Sequence, residues 1–113
     1  VMIVEDELLV AFDLEHIVED AGHQALGPYE TVADAVAAVA ERLPACAILD
    51  VRLLDGDVFP AADFLHEAGV PLIFHSGHAD ERDLRRRYPS AQICPKPSSP
   101  ARLRQALAVA LAA

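Results

Sequence analysis

Four apolar runs in this chain end on residues that can do chemistry. Ala47-Ile48-Leu49 runs into Asp50, and Val1-Met2-Ile3-Val4 runs into Glu5-Asp6-Glu7. Val70 to Phe74 leads to His75-Ser76-Gly77, and Ala91 to Cys94 leads to Pro95-Lys96-Pro97. In open α/β sheets, ligands bind at the carboxyl ends of strands. If these four ends converge, Asp50 is placed as a nucleophile toward phosphate. A carboxylate attacking a phosphoryl group brings negative charge against negative charge, so positive charge must stand between them. A divalent cation held by one or two carboxylates meets that need, and Glu5, Asp6 and Asp50 are the candidate ligands. Without a cation such a cluster is unfavourable: at ~4 Å a like-charge pair costs ~4 kcal/mol at an effective dielectric of ~20. It therefore binds a metal or takes up a proton. By themselves, Glu5-Asp6-Glu7 equally suit a solvated helix start. Lys96 is the sole lysine among nine basic residues, a compact ammonium suited to phosphate. Ser76 offers a hydroxyl, although an isolated serine at that place also suits a plain turn.

The elements that must position these residues alternate between strand and helix patterns, which points to βα units and a parallel sheet. Leu14, Ile17, Val18 and Ala21 fall on one face of a first helix, with Gly22 at its end. His23 to Gly27 reads as a short second strand ended by Gly27-Pro28. Thr31 to Asp34 resembles a capping box opening a second helix lined by Val32, Val36, Val39, Ala40 and Leu43 and ended by Pro44. Residues 53–57 read as a loop. A third helix is expected from about Pro60 to Ala68, burying Ala61, Phe64, Leu65 and Ala68. Ala79 to Tyr88 predicts a short or poorly packed helix, because Leu84 is its only strong apolar residue before Tyr88, although Asp80 is a candidate cap. Ser99 and Pro100 open a last helix with Leu103, Leu107, Ala110 and Leu111 on one face.

A length of 113 residues suits one domain spanning residues 1–113. No apolar run approaches the ~18 residues of a membrane span, and no signal-peptide pattern stands at the start, so a cytoplasmic, membrane-free setting is expected. The net charge of −9 argues against direct nucleic-acid binding. The acidity is lopsided: residues 1–56 carry twelve acids and two bases, which suits either a solvated face or an acidic pocket that needs a cation. Cys46 and Cys94 lie in or beside apolar strands and read as buried, reduced thiols rather than a disulfide or a zinc motif.

An acidic pair after the first strand, Asp after the third, Ser or Thr after the fourth and Lys-Pro after the fifth is the pattern of response-regulator receiver domains (the CheY-like superfamily). The chain resembles it in Glu5-Asp6, Asp50, Ser76 and Lys96-Pro97. The resemblance implies a flavodoxin-like, doubly wound (βα)5 fold, with a five-stranded parallel sheet of order 2-1-3-4-5 and helices on both faces. It implies two-component signalling in bacteria, with Asp50 accepting a phosphoryl group from a histidine kinase or phosphotransfer protein. Mg2+ (or Mn2+) would be held by Asp6, Asp50, Glu5 through a water, and the Arg52 carbonyl. Lys96, Ser76 and the backbone N–H of Gly77 would hold the phosphoryl oxygens, and the Lys96–Pro97 bond would be cis. Such a domain is not an enzyme beyond assisting its own phosphorylation and dephosphorylation, and a homodimer is compatible with it.

Two departures stand out. Ile93 replaces the aromatic that many receivers swing inward, and Leu54 replaces a usual proline. Phe74-His75-Ser76-Gly77 resembles the Phe-Ala-Thr-Gly motif of the "FAT GUY" subgroup, which also lacks that aromatic and works with HWE-type histidine kinases. An alternative role is a phosphate sink or adaptor without its own output. A haloacid-dehalogenase-like phosphatase would need a second Asp where Arg52 stands. A flavodoxin would find its flavin phosphate repelled by Glu5-Asp6-Glu7. A zinc site at His75 and His78 lacks further ligands, and Asp55-Gly56-Asp57 lacks the spacing of a calcium loop.

Overall fold

The computed structural model describes residues 1–112. Five strands form one parallel sheet: β1 (Met2–Val4), β2 (Leu26–Tyr29), β3 (Ala47–Leu49), β6 (Leu72–Ser76) and β7 (Gln92–Pro95). Between β3 and β6 lies a small antiparallel hairpin, β4 (Arg52–Leu53) and β5 (Gly56–Asp57), where the sequence suggested a plain loop. The sheet order is β2-β1-β3-β6-β7. With the hairpin set aside, this is the expected flavodoxin-like 2-1-3-4-5. The order reverses between β1 and β3, so the crevice of the fold opens at their carboxyl ends.

Strand periodicity divides the core into two layers. Met2, Val4, Leu49 and Phe74 point to one face and pack under α2 (Val32–Glu41), α3 (Phe59–Glu67) and α4 (His78–Arg87). Ile3, Ile48, Ile73 and Cys94 point to the other and pack under α1 (Leu8–Asp20) and α5 (Pro100–Ala110). Cys46 and Cys94 are free and buried, as expected.

The helix faces follow the sequence at most core positions and differ at the helix ends and in α3. In α1, Ala11 is buried with Leu14, Ile17 and Val18, while Ala21 is the exposed C-cap residue. In α2, Val39 is buried with Ala35, and Val32 and Val36 pack against the same core as expected, while Ala40 and Leu43 face outward. In α3, Ala62 turns inward, whereas Phe64 is 45% exposed and Ala68 lies on the surface. Alanine-rich stretches leave the helical phase open to a shift of one position. Strand β2 starts later than expected and runs through Gly27-Pro28 instead of ending there. Gly27 has φ +102°, and a Cβ there would stand 2.7 Å from the Ile3 carbonyl oxygen. Only glycine lets the edge strand approach β1 so closely.

Helix α4 is not short, but its packing is thin, with Leu84 its one buried residue. It spans ten residues, opens at Gly77 rather than at Asp80, and buries Leu84 completely. Its charges are paired along the helix, with Glu81 to Arg85 at 2.8 Å and Asp83 to Arg86 and Arg87. Acids in the first turn and arginines in the last also favour the helix dipole.

Candidate functional site

Asp50 directly follows β3, and its backbone N–H donates to the Val4 carbonyl at 2.9 Å, extending the β1–β3 ladder by one residue. The ladder therefore fixes where the carboxylate leaves the core. Its Oδ1 accepts from the Val51 N–H at 2.8 Å, and Oδ2 lies 3.3 Å from the Lys96 Nζ. Glu5, one residue past β1, is fully buried. Its Oε2 accepts from the backbone N–H groups of Asp6 and Glu7, and its Oε1 takes a hydrogen bond from Lys96 Nζ at 3.2 Å. One carboxylate oxygen from each of Glu5, Asp6 and Asp50 lies within 4.8 Å of the others. All three donors are hard oxygens, as a Mg2+-like cation prefers over a soft metal.

The electrostatics follow from that crowding. Burial pushes the Glu5 carboxyl up to about 7, reinforced by its neighbour Asp50 and opposed by Lys96. Burial works against the charge of Lys96, but Asp50 and Glu5 outweigh it and raise the lysine's pKa. Lys96 thus remains an ammonium bridging two carboxylates from different strands. It is delivered by β7, whose end is tied to β6 by Lys96 N–H donating to the Ser76 carbonyl at 2.7 Å. The Lys96–Pro97 bond is cis.

Ser76 ends β6 on the same side of the sheet as Phe74. Its Oγ is buried and has no hydrogen-bond partner among the described residues. A buried hydroxyl without a partner is costly, and this one is delivered to the strand ends that carry Asp50 and Lys96. Gly77 follows as the N-cap residue of α4. The structure thus brings Glu5, Asp6, Asp50 and Lys96 together directly and places Ser76 and Gly77 at the adjoining strand end. Arg52 lies in β4, two residues past Asp50. His75 is buried on the opposite face, and His78 is exposed.

Several polar contacts around the site were not anticipated. The Arg52 side chain turns to Asp80 in the first turn of α4, at 3.0 Å. Asp55, from the Asp55-Gly56-Asp57 run, accepts from the N–H groups of Val32 and Ala33 at 2.7 and 3.2 Å and so caps α2. Thr31 caps the same helix through Asp34 N–H at 3.1 Å, as the capping box in the sequence implies. Nothing in the local sequence marks Asp55 as the cap of a helix 23 residues away. Tyr88 packs on Phe74, with ring centroids 5.2 Å apart, and donates its hydroxyl to Asp63. Ile93 is buried in the same cluster, without an aromatic ring at its position.

Comparison with known proteins places this geometry. No family model matches the chain. It is 32% identical to the phyllosphere-induced regulator PhyR of Methylorubrum extorquens, over 98% of this chain and 43% of that protein. Among solved structures, SdrG from Sphingomonas melonis Fr1 is 34% identical, with a TM-score of 0.82 over 97% of this chain and 93% of that one. The PhyR response regulator REC domain of Erythrobacter litoralis is 28% identical, with a TM-score of 0.83 over 97% of this chain and 87% of that one. The chain belongs to the response-regulator receiver family. This receiver spans less than half the length of the curated relative it matches. Among the described residues, no helix is long and apolar enough to cross a membrane.

Proposed function

We propose that this receiver takes a phosphoryl group onto Asp50 from the phosphohistidine of a histidine kinase or phosphotransfer protein. The observation that carries the reading is the Asp50 carboxylate at the switch point of the sheet, 3.3 Å from Lys96 and grouped with Glu5 and Asp6. An Asp50 oxygen attacks phosphorus, the P–N bond to the donor imidazole breaks, and its electron pair returns to the ring. The Val51 N–H holds Oδ1. Lys96 already pairs with the carboxylate, and it can move with the charge onto a phosphoryl oxygen. Ser76 Oγ has its hydrogen bond free to donate to a second oxygen, and the Gly77 N–H is the next donor along the chain. Glu5, Asp6, Asp50 and the Arg52 carbonyl would hold Mg2+ (or Mn2+), which when bound neutralises the charge between nucleophile and phosphate.

The resemblance to the FAT GUY subgroup supports an HWE-type kinase as the donor, and the acidic surface supports a protein rather than a nucleic acid as the next partner, in the cytoplasm. The test is direct. Incubated with Mg2+ and acetyl phosphate, the wild-type protein should gain the mass of one phosphoryl group, and Asp50→Asn should gain none. Continuous turnover of an added phosphoester would favour a phosphatase instead.

A further inference from the structure

Arg52 opens β4 two residues after Asp50, so their Cα atoms stand at most ~7 Å apart, within the reach of an arginine side chain. Its guanidinium is 72% exposed and donates from Nη2 to Asp80 Oδ1 at 3.0 Å. This ion pair crosses from the loop that carries Asp50 to the first turn of α4. The hydrogen bond and charge of Asp80 act most strongly on the guanidinium, ahead of the charges of Asp57 and Asp50. The helix end it reaches is lightly held: its N-cap residue Gly77 offers no side chain, and Leu84 is the one buried residue of α4. An exposed pair of this kind is weak, because water competes and two side chains must be kept in one geometry. A phosphoryl group on Asp50 changes the competition. It carries about −1.5 to −2 charge at neutral pH and three acceptor oxygens, and the planar guanidinium fork matches phosphate oxygens better than an ammonium does.

We propose that the Arg52–Asp80 pair is a latch that phosphorylation opens: the guanidinium leaves Asp80 and takes a phosphoryl oxygen on Asp50, and α4 loses its tie to the acceptor loop. The latch rests on Asp50 as the acceptor. It gives the two partners of one ion pair opposite effects on the same event. Asp80 competes with the phosphoryl group for the guanidinium, so its removal favours the phosphoryl form. Removing the guanidinium deprives that form of a charged partner. A bridge that only braced the fold would move both variants the same way.

The probe is beryllofluoride with Mg2+, a phosphoryl analogue, titrated into the isotope-labelled protein and followed by amide resonances. Asp80→Asn should tighten binding about two- to fivefold, and Arg52→Gln should weaken it about five- to tenfold. In the double variant the gain from Asp80→Asn should vanish, because no guanidinium is left to release. Affinity changes of the same sign, no change in either variant, or a gain that survives in the double variant would overturn the latch and leave Asp50 as the acceptor. A wild-type protein that neither binds the analogue nor gains a phosphoryl mass would overturn the acceptor reading itself, and the latch with it.

Discussion

The strand ends that carry Asp50 and the cluster around Tyr88 both set polar groups against buried apolar walls, yet they resolve their charge in opposite ways. At Tyr88 the hydroxyl has its acceptor in Asp63, the ring stacks on Phe74, and Arg87 lies 3.9 Å over the Phe59 ring. Burial and Asp63 together hold the Tyr88 phenol well above its ordinary pKa, so it stays neutral and bonded. At Asp50, three carboxylates cluster and two of them share one lysine, burial raises the pKa of Glu5 to about 7, and a serine hydroxyl has no partner among the described residues. The first region is finished by folding. The second is left with charge and hydrogen-bonding capacity that only a ligand can absorb. That difference locates function more sharply than burial does, since each region joins buried side chains to partly exposed ones.

The contrast breaks most readily through the metal. If the carboxylates need a cation, chelating divalent ions or introducing Asp6→Asn should slow phosphorylation by acetyl phosphate by roughly 100-fold or more, measured as the rate of mass gain. Equal rates with and without chelator would remove the electrostatic argument. Next comes Lys96→Ala, expected to slow labelling on the order of ten- to a hundredfold, because it deletes the one side chain that meets both Glu5 and Asp50.

The pH dependence of stability sharpens the comparison further. Glu5 has a folded pKa of about 7 against an ordinary 4.5, so between those values the folded state holds more proton than the unfolded one. Its contribution to stability therefore falls as pH rises through that window, by ~1–3 kcal/mol. Denaturant melts at pH 5 and pH 8 should show the fall, and Glu5→Gln should flatten it. A slope unchanged in Glu5→Gln would assign it to other groups. The smallest effect belongs to the finished region. Tyr88→Phe should cost about 1 kcal/mol of stability and leave the labelling rate unchanged, whereas a labelling defect would mean that the two regions are coupled.

How much of this was legible in the sequence depended on where each residue's partner lies. Asp50, Glu5, Asp6, Ser76 and Lys96 each end an apolar run, so their convergence follows once the runs are read as parallel strands of one sheet. The order of that sheet came from the resemblance and matches the observed one. Asp55 was illegible as a helix cap because its partners, Val32 and Ala33, lie far back in the chain. Phe64 and Ala62 were exchanged between surface and core because nearby alanines accept either phase. Helix α4 looked weak because one buried leucine hardly marks a helix, while its ion pairs and the Tyr88 anchor become visible only in three dimensions. His75 and Ser76 illustrate the limit well. Their neighbourhood in sequence hides the fact that they serve opposite faces of the sheet.

The central claim concerns which atom receives phosphorus, and chemical mapping reads that atom directly. After labelling with Mg2+ and acetyl phosphate, borohydride reduction converts a phosphorylated aspartate to homoserine, which tandem mass spectrometry assigns to a position. The structure predicts conversion at Asp50 alone. Homoserine at Asp6, the five-carbon hydroxy amino acid at Glu5, or no conversion at all under conditions where the protein remains folded, would contradict it.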